Sequence, residues 1–312
     1  MAASPTDGGT TSPATGDHYY PEGVEITITA TPNAGYAFVN WTSNPVTFAD
    51  DEATQTTFTM PAEDVTVTAN FEWIPKSISD LVIWYAADHL AGFGVEPGDS
   101  NLENGSVKQW NDLSGNNYHA LRDTNENDLP TYISDAVGDL PVVGFPGEDS
   151  LFTGVFAEDV SFEIPNTIFV VVQFIDYIDS RAPFIEATGH RVWKRNPSGN
   201  PVHGGHWIMG DGEDRRLTSL EPEGTDWHIL SCVFARHDQI SYFFIDGEQK
   251  DQGNPVPEGA AFTWIRIGAG STSHFGIFNI AEILVYDRAL EDDERRVVET
   301  YLSTKWGISV SH

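Results

Sequence analysis

The sequence predicts an all-β protein: a small β repeat module, then a large antiparallel jelly-roll β-sandwich that closes with a short C-terminal helix. Three observations carry that prediction. Residues 24–30, 65–71, 167–174 and 228–235 are crowded with β-branched and aromatic side chains, and the first two runs alternate at the two-residue period of a half-buried strand. No stretch before residue 290 keeps a long helical periodicity. After the strand-like run 279–286, the acids of 291–294 precede Val297, Val298, Tyr301 and Leu302 at helical spacing, as expected of a helix whose N-terminus attracts negative charge.

From the start of the chain, residues 1–14 are rich in Ala, Ser, Thr, Pro and Gly and read as a linker. Residues 15–72 form the small module. Its strand 24–30 is followed by a turn at Asn33-Ala34-Gly35, an aromatic strand to Trp41, a strand stopped by Pro61, and the closing strand 65–71. Gly35-Tyr36 with Phe38 and Trp41, then Phe58-Thr59-Met60-Pro61, then the closing strand together resemble the divergent internalin B-type repeat of bacterial surface proteins. In so small a module, Tyr36 and Trp41 are expected in the core and not as sugar platforms. Such repeats often come in arrays, so a single copy predicts that the chain is a piece of a longer stalk. Residues 73–77, with Pro75, make a short linker of limited flexibility.

Residues 78–312 form the large domain. Residues 228–235 and 239–245 read as neighbouring strands, and the second ends in Asp246-Gly247, a pair that favours positive φ and a tight reversal. In order along the chain stand residues 83–88, the turn containing Trp110, Asp112, Ser114 and Gly115, residues 130–132 and 141–145, the Asp246-Gly247 hairpin, and the closing segment 279–308. This succession resembles the laminin G-like, concanavalin A-like jelly rolls of large bacterial surface proteins. The resemblance places Trp84, Trp110 and Trp306 in the core.

Charge sorts the partners. The chain has 16 Lys and Arg against 47 Asp and Glu, a net charge of −31, which repels nucleic-acid phosphate and anionic lipid headgroups. No stretch is apolar enough for membrane insertion, and residues 1–5 carry neither the basic region nor the apolar run of a signal peptide. The domain types nonetheless predict export, so the chain is expected to be one part of a larger secreted parent protein with other domains. The single Cys232 lies in an apolar strand and is expected to pack as a small hydrophobe.

Candidate sites follow from residue chemistry. Glycosidases need two carboxylates across a cleft, and no strand here alternates acids in that way; Glu282 stands alone in an apolar run. The acids 291–294 are accounted for by the helix start. His203-Gly204-Gly205-His206 would need a turn at the glycines to bring both imidazoles onto one transition metal; as extended chain it is a loop with two ordinary histidines. Laminin G-like domains often hold calcium at one rim, and the resemblance offers Asp88, Asp112, Asn116, Asn117 and Asp287 as oxygen ligands, with turn capping the alternative use. Residues 123–128 begin like a calcium-binding loop but lack its glycine and distal glutamate. Trp193, Trp207 and Trp227, with Arg195, are the candidates for stacking on and hydrogen-bonding a glycan. Arg181, Arg191, Lys194, Arg195, Arg215 and Arg216 concentrate scarce positive charge, either as an anionic-ligand patch or as partners of nearby acids.

The expected function is adhesion or carbohydrate binding at a cell surface, without catalysis and with calcium supporting the loops. A polysaccharide-degrading glycosidase or lyase on the same sandwich and a structural spacer in a giant adhesin are the alternatives.

Overall fold

The computed structural model describes all residues except 7, 34–35, 91–101, 104–105, 123–129, 147–151, 155–161, 164, 178–180, 188–189, 196–205, 212–214, 220–225, 237, 255–260, 263–264 and 271–273. It is mostly β-strand and divides into two units, Met1–Ser79 and Asp80–His312.

In the first unit β1 (Ala2–Ser4), β2 (Gly9–Ser12), β3 (Glu25–Pro32), β4 (Tyr36–Thr42), β5 (Gln55–Thr59) and β6 (Thr68–Trp73) make two three-stranded sheets, ordered β1-β6-β4 and β2-β3-β5. Their inward residues, among them Ile26, Ile28, Phe58, Ala69 and Phe71, meet in one core around a buried Trp41, whose Nε1 donates to the Ala53 carbonyl at 3.0 Å. Tyr36 packs on that core, so these aromatics build the fold as expected. The segment 1–14 is different. Its composition predicts a linker, yet it supplies two strands: β1 runs parallel to β6 with Ala2 opposite Thr68, and β2 runs antiparallel to β3. The small residues answer to packing, since a Cβ on Gly8 or Gly9 would come within 2.7 or 2.4 Å of the Phe71 side chain.

In the second unit we label β7 (Leu81–Ala86), β8 (Thr131–Val137), β9 (Leu140–Phe145), β10 (Asn166–Tyr177), β11 (Arg181–Ala187), β12 (His190–Arg195), β13 (His206–Asp211), β14 (Arg215–Thr218), β15 (Trp227–Phe234), β16 (Ser241–Ile245), β17 (Glu248–Gly253), β18 (Ile265–Ile267), β19 (His274–Tyr286) and the helix α1 (Asp292–Trp306). One sheet runs β17-β16-β15-β10-β19-β9-β8 and continues through Ser106–Val107 and Leu102–Glu103, with β7 also paired to β19. The other runs Gln109–Trp110, Ala120–Arg122, Phe152–Gly154, then β18-β11-β12-β13-β14. The ladders of both sheets are antiparallel. A core that includes Tyr85, Trp110, Val170, Trp207, Met209, Leu230, Phe278 and Ile283 joins them, which makes this unit an antiparallel jelly-roll sandwich.

Strand β15 shows how the layers are divided. Leu230, Cys232 and Phe234 face the inter-sheet core, whereas Ser231 on the opposite face donates its hydroxyl to Glu299 of α1 at 2.6 Å. The helix therefore covers the outer face of the first sheet. Its start uses the acids as the sequence predicts: Glu294 accepts the Glu291 backbone N–H at 3.1 Å and the two terminal Arg288 guanidinium nitrogens, Nη1 and Nη2, at 2.7 Å each. Its end is closed by Gly307 at φ 68°, with Ile308 N–H bonded to the Ser303 carbonyl. The Asp246-Gly247 hairpin has φ 51° and 80° at its two turn residues, the pair of positive values a type I′ turn needs.

Candidate functional site

Two sets of polar residues in the second unit stand out, and they serve different ends. The first is a buried cluster beneath α1. Glu282, in the middle of β19, is fully buried. Its carboxylate accepts from Trp84 Nε1 (2.6 Å), Tyr301 Oη (2.9 Å) and Trp306 Nε1 (2.7 Å), and Lys305 Nζ lies 2.9 Å away. Lys305 also reaches Asp88 at 3.0 Å, and Asp88 contacts His89 at 3.2 Å. The acid that looks solitary in the sequence is thus the hub that ties β7, β19 and α1 together. Nearby, Glu299 takes the guanidinium of Arg295, which stacks 3.7 Å above the Phe244 ring, together with the Ser231 hydroxyl and the His312 ring.

Titration follows from these contacts. Burial alone would lower the Lys305 pKa, but the Glu282 and Asp88 carboxylates outweigh it and hold the ammonium above its usual 10.5. Burial alone would raise Asp88; the His89 hydrogen bond and the Lys305 charge bring it below 3.8 instead. A raised lysine stabilises the fold fully below 10.5 and loses that contribution as pH climbs through the folded value. A lowered aspartate stabilises above 3.8 and loses its contribution as pH falls through the folded value. Denaturant midpoints measured across pH should therefore form a plateau that drops at both ends, and Lys305→Met should remove the alkaline drop.

Of the rim residues offered as calcium ligands, Asp112 and Asp88 have carboxylate oxygens engaged by the protein's own donors. Asp112 Oδ1 accepts the backbone N–H groups of Trp84 (3.0 Å) and Ser114 (2.9 Å), and Oδ2 accepts the Ser114 hydroxyl (2.8 Å) and the Tyr118 N–H (3.1 Å). Asn116 donates its amide to the Leu81 and Val82 carbonyls, Asn117 adopts φ 61° in the turn, and Asp88 faces Lys305. The backbone of Asp287 donates to the Asp80 carbonyl. Asp112 and Asn116 pin the Trp110–Gly115 turn to the backbone of β7, so the four contacts to the Asp112 carboxylate serve the turn-capping use. Among the described residues no group of three or more His, Cys, Asp or Glu is placed to hold a metal ion. His203 and residues 123–128 lie outside the described residues. Burial holds the Cys232 thiol strongly protonated, so it packs as the sequence predicts.

The second set lies on β11 to β14. Arg181 pairs with Arg195 in the β11–β12 ladder, and Arg195 pairs with His206 in the β12–β13 ladder, which sets three basic residues in one row across three strands. Trp193, two positions from Arg195, stands opposite Ile208. Six of the 16 Lys and Arg of the chain, Arg181, Arg191, Lys194, Arg195, Arg215 and Arg216, fall on these strands. The structure thus gathers Trp193, Arg195 and His206. It removes Trp207 from the set: this side chain is 0% exposed, wedged between the sheets with the His228 ring 5.7 Å and the Phe174 ring 6.5 Å away. The sequence offers Trp207 as a platform because it lies outside the strongest strand patterns, whereas β13 begins at His206 and turns its next residue inward. Trp227 is half-buried at the start of β15, in the opposite sheet, and does not join Trp193.

The arrangement defines the protein as an antiparallel β-sandwich preceded by a small β repeat. Residues 1–75 match the family model of the divergent InlB B-repeat domain. No curated protein sequence matches the chain. Among solved structures it is similar to the receptor-binding domain of the botulinum neurotoxin C/D mosaic serotype, at 10% identity and a TM-score of 0.48 over 71% of this chain and 51% of that one. It is also similar to the botulinum neurotoxin serotype D ligand-binding domain in complex with N-acetylneuraminic acid, at 12% and 0.47 over 71% and 50%. Trypanosoma rangeli sialidase in complex with the inhibitor DANA matches at 16% and 0.41 over 74% and 34%. The chain spans about half the length of these neurotoxin domains. No helix among the described residues is long and apolar enough to cross a membrane.

Proposed function

We propose that the second unit is a non-catalytic glycan-binding sandwich of a secreted or surface-displayed protein, that its ligand carries acidic groups, and that its relation to laminin G-like domains belongs to this reading. The observation that carries it is the Arg181, Arg195 and His206 row beside Trp193 in a chain whose net charge is −31. Concentrated cations in so acidic a chain suit carboxylated or sulfated sugars, whose charges accept from guanidinium while the ring stacks on indole. The InlB-type repeat in the first unit supports placement at a cell surface. Against catalysis stand the two fully buried carboxylates, Glu282 and Glu299, which are saturated by the protein's own donors.

A glycan array probed with the whole chain tests this. Binding is expected to fall into acidic glycans, and Trp193→Ala or Arg195→Ala should each reduce it about tenfold or more. Binding of neutral glycans alone, or release of reducing ends from a bound polysaccharide, would refute the reading.

A further inference from the structure

The first unit contains a groove that no part of the proposed glycan function uses. Its volume is about 620 Å³, and it lies wholly within residues 13–67 and Met1. The floor is apolar, from Phe58 and Met60. One wall is aromatic: Tyr19 is 93% exposed and Tyr20 37% exposed, unusual for a unit that otherwise buries its large side chains in a core. Tyr20 stacks on His18 with centroids 6.4 Å apart, and His18 donates Nε2–H to the Ala14 carbonyl at 2.6 Å, so the Tyr20 half of the wall is positioned before anything binds.

The rim is acidic. Asp17, Glu22, Glu63 and Asp64 line it, all exposed, and among the described residues none of them forms an ion pair. No Lys or Arg lines the groove, and the Met1 ammonium at its edge is tied to the Gly16 carbonyl. Residues 1–79 hold ten Asp and Glu against Lys76 and no Arg. This charge repels a second copy of the chain and an acidic sugar alike. We infer that the groove binds a short extended peptide rich in lysine or arginine. The aliphatic stems lie on the apolar floor, the cationic heads sit over the Tyr19 and Tyr20 faces, and the carboxylates supply the counter-charge. The inference is independent of the glycan reading, because its site, ligand charge and unit all differ.

The test is fluorescence anisotropy of a dye-labelled peptide of alternating lysine and alanine, titrated with the full chain. Binding is expected to be saturable and to weaken with salt. Tyr19→Ala and Tyr20→Ala should each weaken it about tenfold, while Tyr19→Phe should retain it because the ring face is kept. Glu63→Gln with Asp64→Asn should weaken it further than Glu25→Gln with Glu72→Gln, a pair of exposed acids outside the groove lining that removes the same charge. Equal losses from both acid pairs, or tyrosine variants that bind as tightly as the parent, would mean diffuse attraction only and overturn the proposal. Tyrosine-dependent binding of a neutral oligosaccharide in place of the peptide would overturn it as well. Tyr19 is so exposed that its removal should not disturb folding, which circular dichroism checks.

Discussion

Replacing Glu282 with alanine is expected to destabilise the second unit by about 3–5 kcal/mol, the range found when one partner of a buried ion pair is removed. The substitution strands four donors at once: Trp84 Nε1, Trp306 Nε1, the Tyr301 hydroxyl and the Lys305 ammonium all lose their main acceptor. Three of them belong to α1 and Trp84 lies on β7 beneath it, and Lys305 keeps an alternative in Asp88. Two buried indole N–H groups without partners are costly on their own, of order 1–3 kcal/mol apiece before the structure relaxes. Guanidinium denaturation followed by tryptophan fluorescence measures the loss, because Trp84 and Trp306 report on the site itself. Glu282→Gln should lie between parent and alanine variant, since an amide oxygen still accepts but no longer balances the lysine. An alanine variant as stable as the parent would show that the network contributes nothing net to folding.

Trp207→Ala is expected to have a comparable effect, about 3–5 kcal/mol, and to do so by cavity formation. The indole fills the space between the sheets, against Phe174 and His228, and Met209 and Leu217 belong to the same core. Thermal denaturation should show a midpoint lowered on the order of 10 °C for a unit of this size. The contrast with Trp193→Ala is the informative part. Loss of glycan binding by the Trp207 variant should track its unfolded fraction, while the Trp193 variant should lose binding at unchanged stability. A Trp207 variant that is fully folded yet inactive in binding would return this residue to the ligand site.

The difference between these two tryptophans shows where sequence stops being informative. β-rich runs without helical periodicity, an acidic helix start and turn chemistry are enough to read the strands, the closing helix and the Asp246-Gly247 hairpin, because each depends on local backbone preference. Trp84, Trp110 and Trp306 were legible as core because they sit in a recognisable succession of motifs. Trp207 was not, since its burial depends on which sheet faces it, a property of topology that no window of neighbouring residues contains. Glu282 hid for the same reason: an acid in an apolar strand signals a buried partner, but its donors come from β7 and α1, distant in sequence. Asp112, offered as a ligand by family resemblance, has the chemistry of a calcium site and the geometry of a turn anchor. The row of Arg181, Arg195 and His206 could be suspected from composition, and only the ladder register aligned it. The groove around Tyr19 is not legible in the sequence because a short run of polar and aromatic residues before a strand carries no periodic pattern.

Strand β19 has one further consequence. It lies near the end of the second unit and pairs with β10, β9 and β7, so Leu284 stands opposite Trp84 across most of the length of that unit. During synthesis the centre of the sheet has no occupant until nearly all of this unit has been made. The nascent chain must stay open and then close late around its final strand, slowly, as long-range pairing requires. A unit that cannot close early keeps its strand edges open to other chains meanwhile.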